Sequence, residues 1–252
     1  KLSFDADLHI AFAGGGISVI ELSDDLKEER SKSFSSSINY DNSSSDYIYG
    51  FTLEGFYTRL DDAFYQDPNG SDDFGNKFIK RNGDGSTVQG LTMEFRANYN
   101  QKVQIESGFT IQKSLYDDAV SYSDELESKR EFLRTPNNYG YTTIDLTPSD
   151  KFNVSANIVH TGEMELVHMG GSPEQEEDEY LTSNVFNTIG LKATYIQKVE
   201  RVGLSLEYSF GVKNLTNDYQ KDFDSGKERD SNFIYGPSVP RTFYVGLVMK
   251  SL

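Results

Sequence analysis

Nine amphipathic segments, joined by connections that alternate between short and long, constrain this chain more than any other feature. From about Ser33 onward, apolar and polar residues alternate with period 2, the repeat of a strand whose two faces meet different surroundings. In 47–60, Tyr47, Tyr49, Phe51, Leu53 and Tyr57 oppose Gly50, Thr52, Glu54 and Thr58. In 90–99, Leu91, Met93, Phe95, Ala97 and Tyr99 oppose Thr92, Glu94, Arg96 and Asn98. The same pattern runs through 103–112, 152–158, 185–195, 202–210 and 243–249, and more weakly through 33–40 and 139–146. The connections 41–46, 100–102, 147–151 and 197–201 are short and rich in turn formers, whereas 67–84, 117–134, 163–181 and 214–239 are long. Tight turns on one side and long loops on the other are the mark of an antiparallel transmembrane β-barrel. Segments of this length suit the roughly 9–11 residues that a tilted strand needs to cross a bilayer.

Composition is compatible with that reading. The mean hydropathy of −0.58 reflects polar loops and a polar lumen face, and no apolar run is long enough for a transmembrane helix. The net charge of −16 and the lack of a basic stripe argue against nucleic acid, and with no cysteine there is no disulfide framework. The chain starts at Lys1 without Met or a signal peptide. Together with the odd strand number, this reads as a piece that begins inside a loop of a longer protein. A soluble or surface β-sandwich, such as a carbohydrate-binding module, would show the same alternation. The two differ in whether the apolar faces pack on a second sheet or stay bare.

The lipid-facing set is expected to include Phe51, Leu53, Leu91, Met93, Phe95, Ile105, Phe109, Val154, Leu204, Leu206, Val245 and Leu247. A tight turn at 100–102 sets a register in which paired residue numbers sum to 202. Leu91 then faces Ile111, and Met93 faces Phe109, on the outside, while Arg96 faces Glu106 in the lumen. The loop 163–181 concentrates Glu174, Glu176, Glu177, Asp178 and Glu179, a carboxylate density that could hold Ca²⁺; no other cofactor is expected. His168, between Met164 and Met169, is a candidate ligand for haem iron or cobalt, and His160 is placed at a strand end on the outer face. No Ser-His-Asp or paired-carboxylate constellation has catalytic spacing, so the chain is not expected to be an enzyme.

The segment Gly211-Val212-Lys213-Asn214-Leu215-Thr216-Asn217 resembles the G-x-x-N-L-x-N element before the last strand of TonB-dependent outer-membrane receptors. Pro240-Arg241-Thr242-Phe243-Tyr244-Val245-Gly246-Leu247 is similar to their closing strand. Phe132-Leu133-Arg134-Thr135-Pro136-Asn137-Asn138-Tyr139-Gly140-Tyr141 and the stretch 221–230 resemble Bacteroidetes-type members. Residues 4–10 and 25–34 fall where the family has a loop and then an N-P-x-L-x-P-E box, but here the box lacks its Asn and both prolines. Leu252 stands where the family usually ends on an aromatic.

The resemblance implies a plugged barrel of about 22 strands in the cell outer membrane. This chain, 1–252, would supply roughly the last nine, and the plug domain and TonB box would lie upstream. The implied function is import of a scarce nutrient (ferric siderophore, cobalamin or haem) with TonB-transmitted energy. The implied partners are the TonB complex through the plug, the rest of the same chain, lipid and lipopolysaccharide, a small metal chelate and a surface lipoprotein. Arg134, Tyr139 and Tyr235, in the motif-bearing loop ends, join His168 as candidate ligand-binding residues.

Overall fold

The computed structural model describes residues 11–13, 16–72, 75–171, 175–226, 229–230 and 233–251. Glu174, Leu252 and the resemblance at residues 4–10 lie outside the described residues.

Nine strands form one antiparallel meander: β1 Arg30–Ser43, β2 Tyr47–Asp61, β3 Gly85–Tyr99, β4 Val103–Val120, β5 Asn138–Ser149, β6 Phe152–Thr161, β7 Phe186–Val199, β8 Leu204–Lys213 and β9 Thr242–Ser251. Each pairs with the next in the chain, and the wall is open between β1 and β9 among the described residues. These are the nine strands read from the alternation. The β3–β4 register also matches, with Leu91 opposite Ile111, Met93 opposite Phe109 and Arg96 opposite Glu106. It is held by a turn with left-handed backbone at Asn100 (φ 49°) and Gln101 (φ 57°), where the Lys102 N–H donates to Tyr99 O at 2.8 Å. That handedness matches the twist of the flanking strands.

The apolar face is bare. Of the twelve residues expected to face lipid, Phe51, Leu53, Leu91, Met93, Phe95, Phe109, Val245 and Leu247 are exposed, and Ile105, Val154, Leu204 and Leu206 are partly so. Among the described residues no second sheet covers this face, so the sandwich alternative fails. Aromatics ring its short-turn edge: the Tyr47 and Tyr99 rings lie 5.1 Å apart, and Phe152, Tyr195 and Tyr208 continue the row. The polar rim crosses the hydrogen-bonded rows obliquely. One row begins at Ile38, Leu53, Met93 and Phe109 and ends at Gly140, His160 and Asn187. Tilted strands produce this drift, because the membrane plane does not follow a row. His160 does sit on the outer face, its ring nitrogens 2.8 Å from Asn187 Oδ1 and 2.8 Å from Asn138 Oδ1.

Several expected boundaries are corrected. The connection 67–84 is not an irregular loop: Phe64–Asp72 and Gly75–Asn82 form an antiparallel hairpin. Gly16–Leu22, expected to be loop, runs parallel to the second arm of that hairpin. Phe64, Phe78 and Ile79 carry the pattern there, but Asp, Asn, Gly and Pro68 obscure it. Pro68 is tolerated because its strand is an edge and shifts register between Pro68 and Ser71. The fourth wall strand continues to Val120 instead of stopping near 112, so it stands beyond the membrane on the loop side. Val185 precedes β7 and Val202 lies in the turn Glu200–Val202, closed by Gly203 at φ 65°.

Candidate ligand-binding vestibule

The long loops fold together over the lumen side of the wall. Loop 162–185 forms a hairpin in which Glu165–His168 pairs with Glu179–Thr182, placing Leu166 opposite Leu181. Loop 214–241 brings Phe233 onto Met164 and Leu166, and these buried residues, with Leu181 and Tyr235 beside them, make a small core outside the membrane band. The loop backbone is held by Gln220, only 1% exposed: its Oε1 accepts the Tyr235 N–H (2.8 Å) and the Gly236 N–H (3.1 Å), and its Nε2 donates to Phe233 O (3.0 Å).

His168 belongs to this core. It is 7% exposed, and its ring stacks on Phe233 with centroids 3.8 Å apart and planes 10° apart. Its Nε2 lies 2.9 Å from Asp224 Oδ2, and its Nδ1 lies 3.8 Å from Glu179 Oε1. Both ring nitrogens therefore face carboxylates inside the loop pack. The Tyr235 hydroxyl donates to Asp222 Oδ2 at 2.7 Å; burial, and then that hydrogen bond and charge, push its phenol above the usual tyrosine range.

A third loop, 121–137, locks onto the other two. The Arg134 backbone is left-handed (φ 58°), its N–H donates to Glu165 O at 2.8 Å, and its Nη1 donates to Ile234 O at 3.0 Å. One residue thereby ties both neighbouring loops. Lys129 Nζ lies 2.6 Å from Glu165 Oε2 and 4.0 Å from the centre of the Tyr180 ring, and the Tyr180 hydroxyl donates to Glu127 O at 2.7 Å. Ser123 hydrogen-bonds to Asp178.

Between this cap, the hairpin and the overhang of β4 lies a cleft of about 420 Å³. Its walls include Phe64, Tyr65, Phe78, Tyr116, Tyr122 and Arg134. Burial lowers the proton affinity of Arg134, yet a guanidinium stays charged at any physiological pH. Burial raises the Tyr122 phenol, keeping it neutral, and its hydroxyl donates to Glu131 O at 2.7 Å. The cleft thus offers a partly desolvated cation among aromatic faces, with the Asp230 carboxylate in the same lining acting back on Arg134.

The structure gathers Arg134, His168 and Tyr235 into the cap, but only Arg134 lines this cleft. Tyr139 sits on the lumen face of the wall, in a second cleft of about 540 Å³ with Tyr141, Thr110 and Val159. The Tyr141 ring lies over Gly108, where an added Cβ would come within 2.7 Å of it. The acidic set disperses: Glu176 and Glu177 are exposed, Asp178 accepts the Gly170 N–H at 2.6 Å, and Glu179 lies near His168. Among the described residues no three His, Asp or Glu side chains converge as a metal would require. Tyr65, Phe78, Tyr116 and Tyr122 were not singled out from the sequence. Their signal was the persistence of aromatics beyond the expected end of β4 and through the hairpin.

The family described as TonB dependent receptor-like, beta-barrel matches residues 4–216. No curated protein matches the chain. Among solved structures, the ferric-catecholate import receptor Fiu from K12 E. coli is 18% identical with a TM-score of 0.58, over 89% of this chain and 28% of that one. The ferric enterobactin receptor PfeA from Pseudomonas aeruginosa (R480A_Q482A mutant) is 17% identical with a TM-score of 0.57, over 100% of this chain and 36% of that one. The siderophore receptor PirA from Acinetobacter baumannii is 16% identical with a TM-score of 0.56, over 90% and 32%. The chain therefore spans about a third of the length of these receptors. Their likeness agrees with the fold, and the family match covers most of the chain. The chain belongs to the TonB-dependent receptor β-barrel family, whose members are barrels of the outer membrane.

Proposed function

We propose that this chain forms part of the wall and outer vestibule of a receptor that imports a ferric siderophore across the outer membrane, with energy transmitted by TonB. The observation that carries the reading is the cleft at Arg134, where a partly desolvated cation stands among the rings of Phe64, Tyr65, Phe78, Tyr116 and Tyr122. Ferric catecholates are anionic and aromatic, and such a site complements both properties. Solved structures of similar fold include receptors named for ferric-catecholate, ferric enterobactin and siderophore uptake, which favours this class over cobalamin or haem. The role is binding followed by passage, without covalent chemistry on the ligand. His168 serves the site by positioning: stacked on Phe233 and held by Asp224, it keeps loop 162–185 against loop 214–241 and so fixes the carbonyls that anchor Arg134.

The test is uptake of radiolabelled ferric enterobactin by cells whose only such receptor is the full-length protein, with cyanocobalamin and haemin as rival substrates. Arg134→Ala should weaken ferric enterobactin binding about tenfold, the scale of losing one charged hydrogen-bond donor. Unaltered uptake in Arg134→Ala would take Arg134 out of the binding site, and uptake of cyanocobalamin or haemin in place of ferric enterobactin would remove the siderophore reading.

A further inference from the structure

The outward face carries a groove just below its polar rim. Across the first four wall strands, Ser36, Gly55, Leu91 and Ile111 face one another in one row. The next row toward the loops is Phe34, Tyr57, Gln89 and Lys113, and the row beyond is Lys32, Arg59, Thr87 and Leu115. The lower row is thin at Ser36 and Gly55, while Phe34 and Tyr57 stand above it and Ile38 and Leu53 below. The result is a cleft of about 590 Å³, bounded by Phe34, Gly55, Tyr57, Leu91, Ile111 and Lys113. An ideal Cβ on Gly55 would lie 3.5 Å from Leu91 Cδ2, so any larger side chain there would fill the groove.

Charge pairing singles out Lys113. Lys32 Nζ lies 2.7 Å from Asp61 Oδ2, and Arg59 Nη1 donates to Asp117 Oδ1 at 2.6 Å. Lys113 is exposed and has no hydrogen-bond or ion-pair partner among the described residues. A long ammonium side chain at the edge of an apolar band snorkels toward the headgroup layer, where an anionic lipid supplies its counter-charge. The groove lies on the long-loop side, which in outer-membrane barrels faces outward. The leaflet it meets is therefore the outer one, built of phosphorylated glycolipid.

We propose that this groove holds one acyl chain of a lipid A molecule, with Lys113 paired to its phosphate. The inference rests on the membrane position of the barrel and is independent of the transported ligand. The test uses the full-length receptor released from a non-ionic detergent and examined by native mass spectrometry. It is titrated with phosphorylated lipid A, the same lipid dephosphorylated, and phosphatidylglycerol. Wild type should retain one phosphorylated lipid A, and Lys113→Gln should lower its occupancy about fivefold, the worth of one surface cation against an anionic lipid. Lys113→Arg should keep it. Gly55→Leu should lose it while the barrel still migrates as a heat-modifiable assembly. If that variant does not assemble, the exposed Lys113 pair of variants decides. Equal occupancy in wild type, Lys113→Gln and Gly55→Leu, equal retention of the dephosphorylated lipid, or displacement by an equal concentration of phosphatidylglycerol would each overturn the proposal.

Discussion

Arg96 on β3 reaches across β2 to Asp41 on β1, with its Nη2 2.6 Å and its Nε 3.1 Å from Asp41 Oδ1. Glu106 stands directly opposite Arg96 on β4, yet it accepts instead from Gln104 Nε2 at 3.0 Å. The intervening residue is Gly50, which pairs with Asp41 on one side and with Arg96 on the other. An ideal Cβ at Gly50 would lie 2.2 Å from Asp41 Oδ1, so the missing side chain is what opens the path. Thr52 Oγ1 accepts from Arg96 Nη1 at 3.2 Å and completes the lumen network.

Filling that path should cost more than deleting the ion pair. Both partners are well exposed to the lumen, so Asp41→Asn should lower stability by about 0–1 kcal/mol. Gly50→Val should lower it by about 1–3 kcal/mol, because the new methyls must displace Asp41 and strain the sheet. Urea unfolding of the full-length barrel in lipid vesicles measures both; equal midpoints for the two variants would contradict this account of Gly50.

Phe95 is 45% exposed on the outward face, in the row of Tyr40 and Phe51. Phe95→Arg should destabilise the barrel by about 2–4 kcal/mol if that row lies near the bilayer midplane. Arginine at Thr92, on the lumen face, should cost far less. A reversal of that order in the same unfolding assay would exchange the two faces.

The loop cap should open separately from the wall. Phe233, 3% exposed, contacts Met164 and Leu166 and stacks on His168. Phe233→Ala should remove about 3–5 kcal/mol of packing, nearly all of it local. Hydrogen exchange should then quicken in 162–185 and 214–241 and stay unchanged in β2 and β3. Faster exchange throughout the wall would mean that cap and barrel open as one unit.

Tyr235 ties the cap to alkaline pH. Its proton is held more tightly in the folded loop, first by burial and then by Asp222, so its folded pKa lies above the ordinary value. A group raised in this way contributes stability that is complete below the unfolded pKa, about 10, and is lost as pH rises through the folded value. Protease cleavage within the cap should stay flat through neutral pH and rise in strong alkali. Tyr235→Phe should remove part of that rise, leaving Tyr122 and Tyr180, also raised by burial, to carry the remainder. An identical alkaline profile in Tyr235→Phe would detach this residue from the effect.

The sequence by itself determined the wall. Alternation with period 2 is local, so Phe51, Leu53, Leu91 and Met93 declared their face, and the short turn at 100–102 set the β3–β4 register that the structure keeps. It also marked the motif-bearing loop ends around Arg134 and Tyr235. Tertiary structure decided what depends on strands and loops distant in sequence. Arg96 reaches Asp41 across Gly50, the direct partner of both on β2, and that open path exists only once β1, β2 and β3 lie side by side. Arg134, His168 and Tyr235 converge because three loops fold onto one small core, whereas Tyr139, only five positions from Arg134 in sequence, remains on the lumen wall where β5 holds it. Local alternation encodes a face, but contacts between loops arise only once strand pairing brings their bases together.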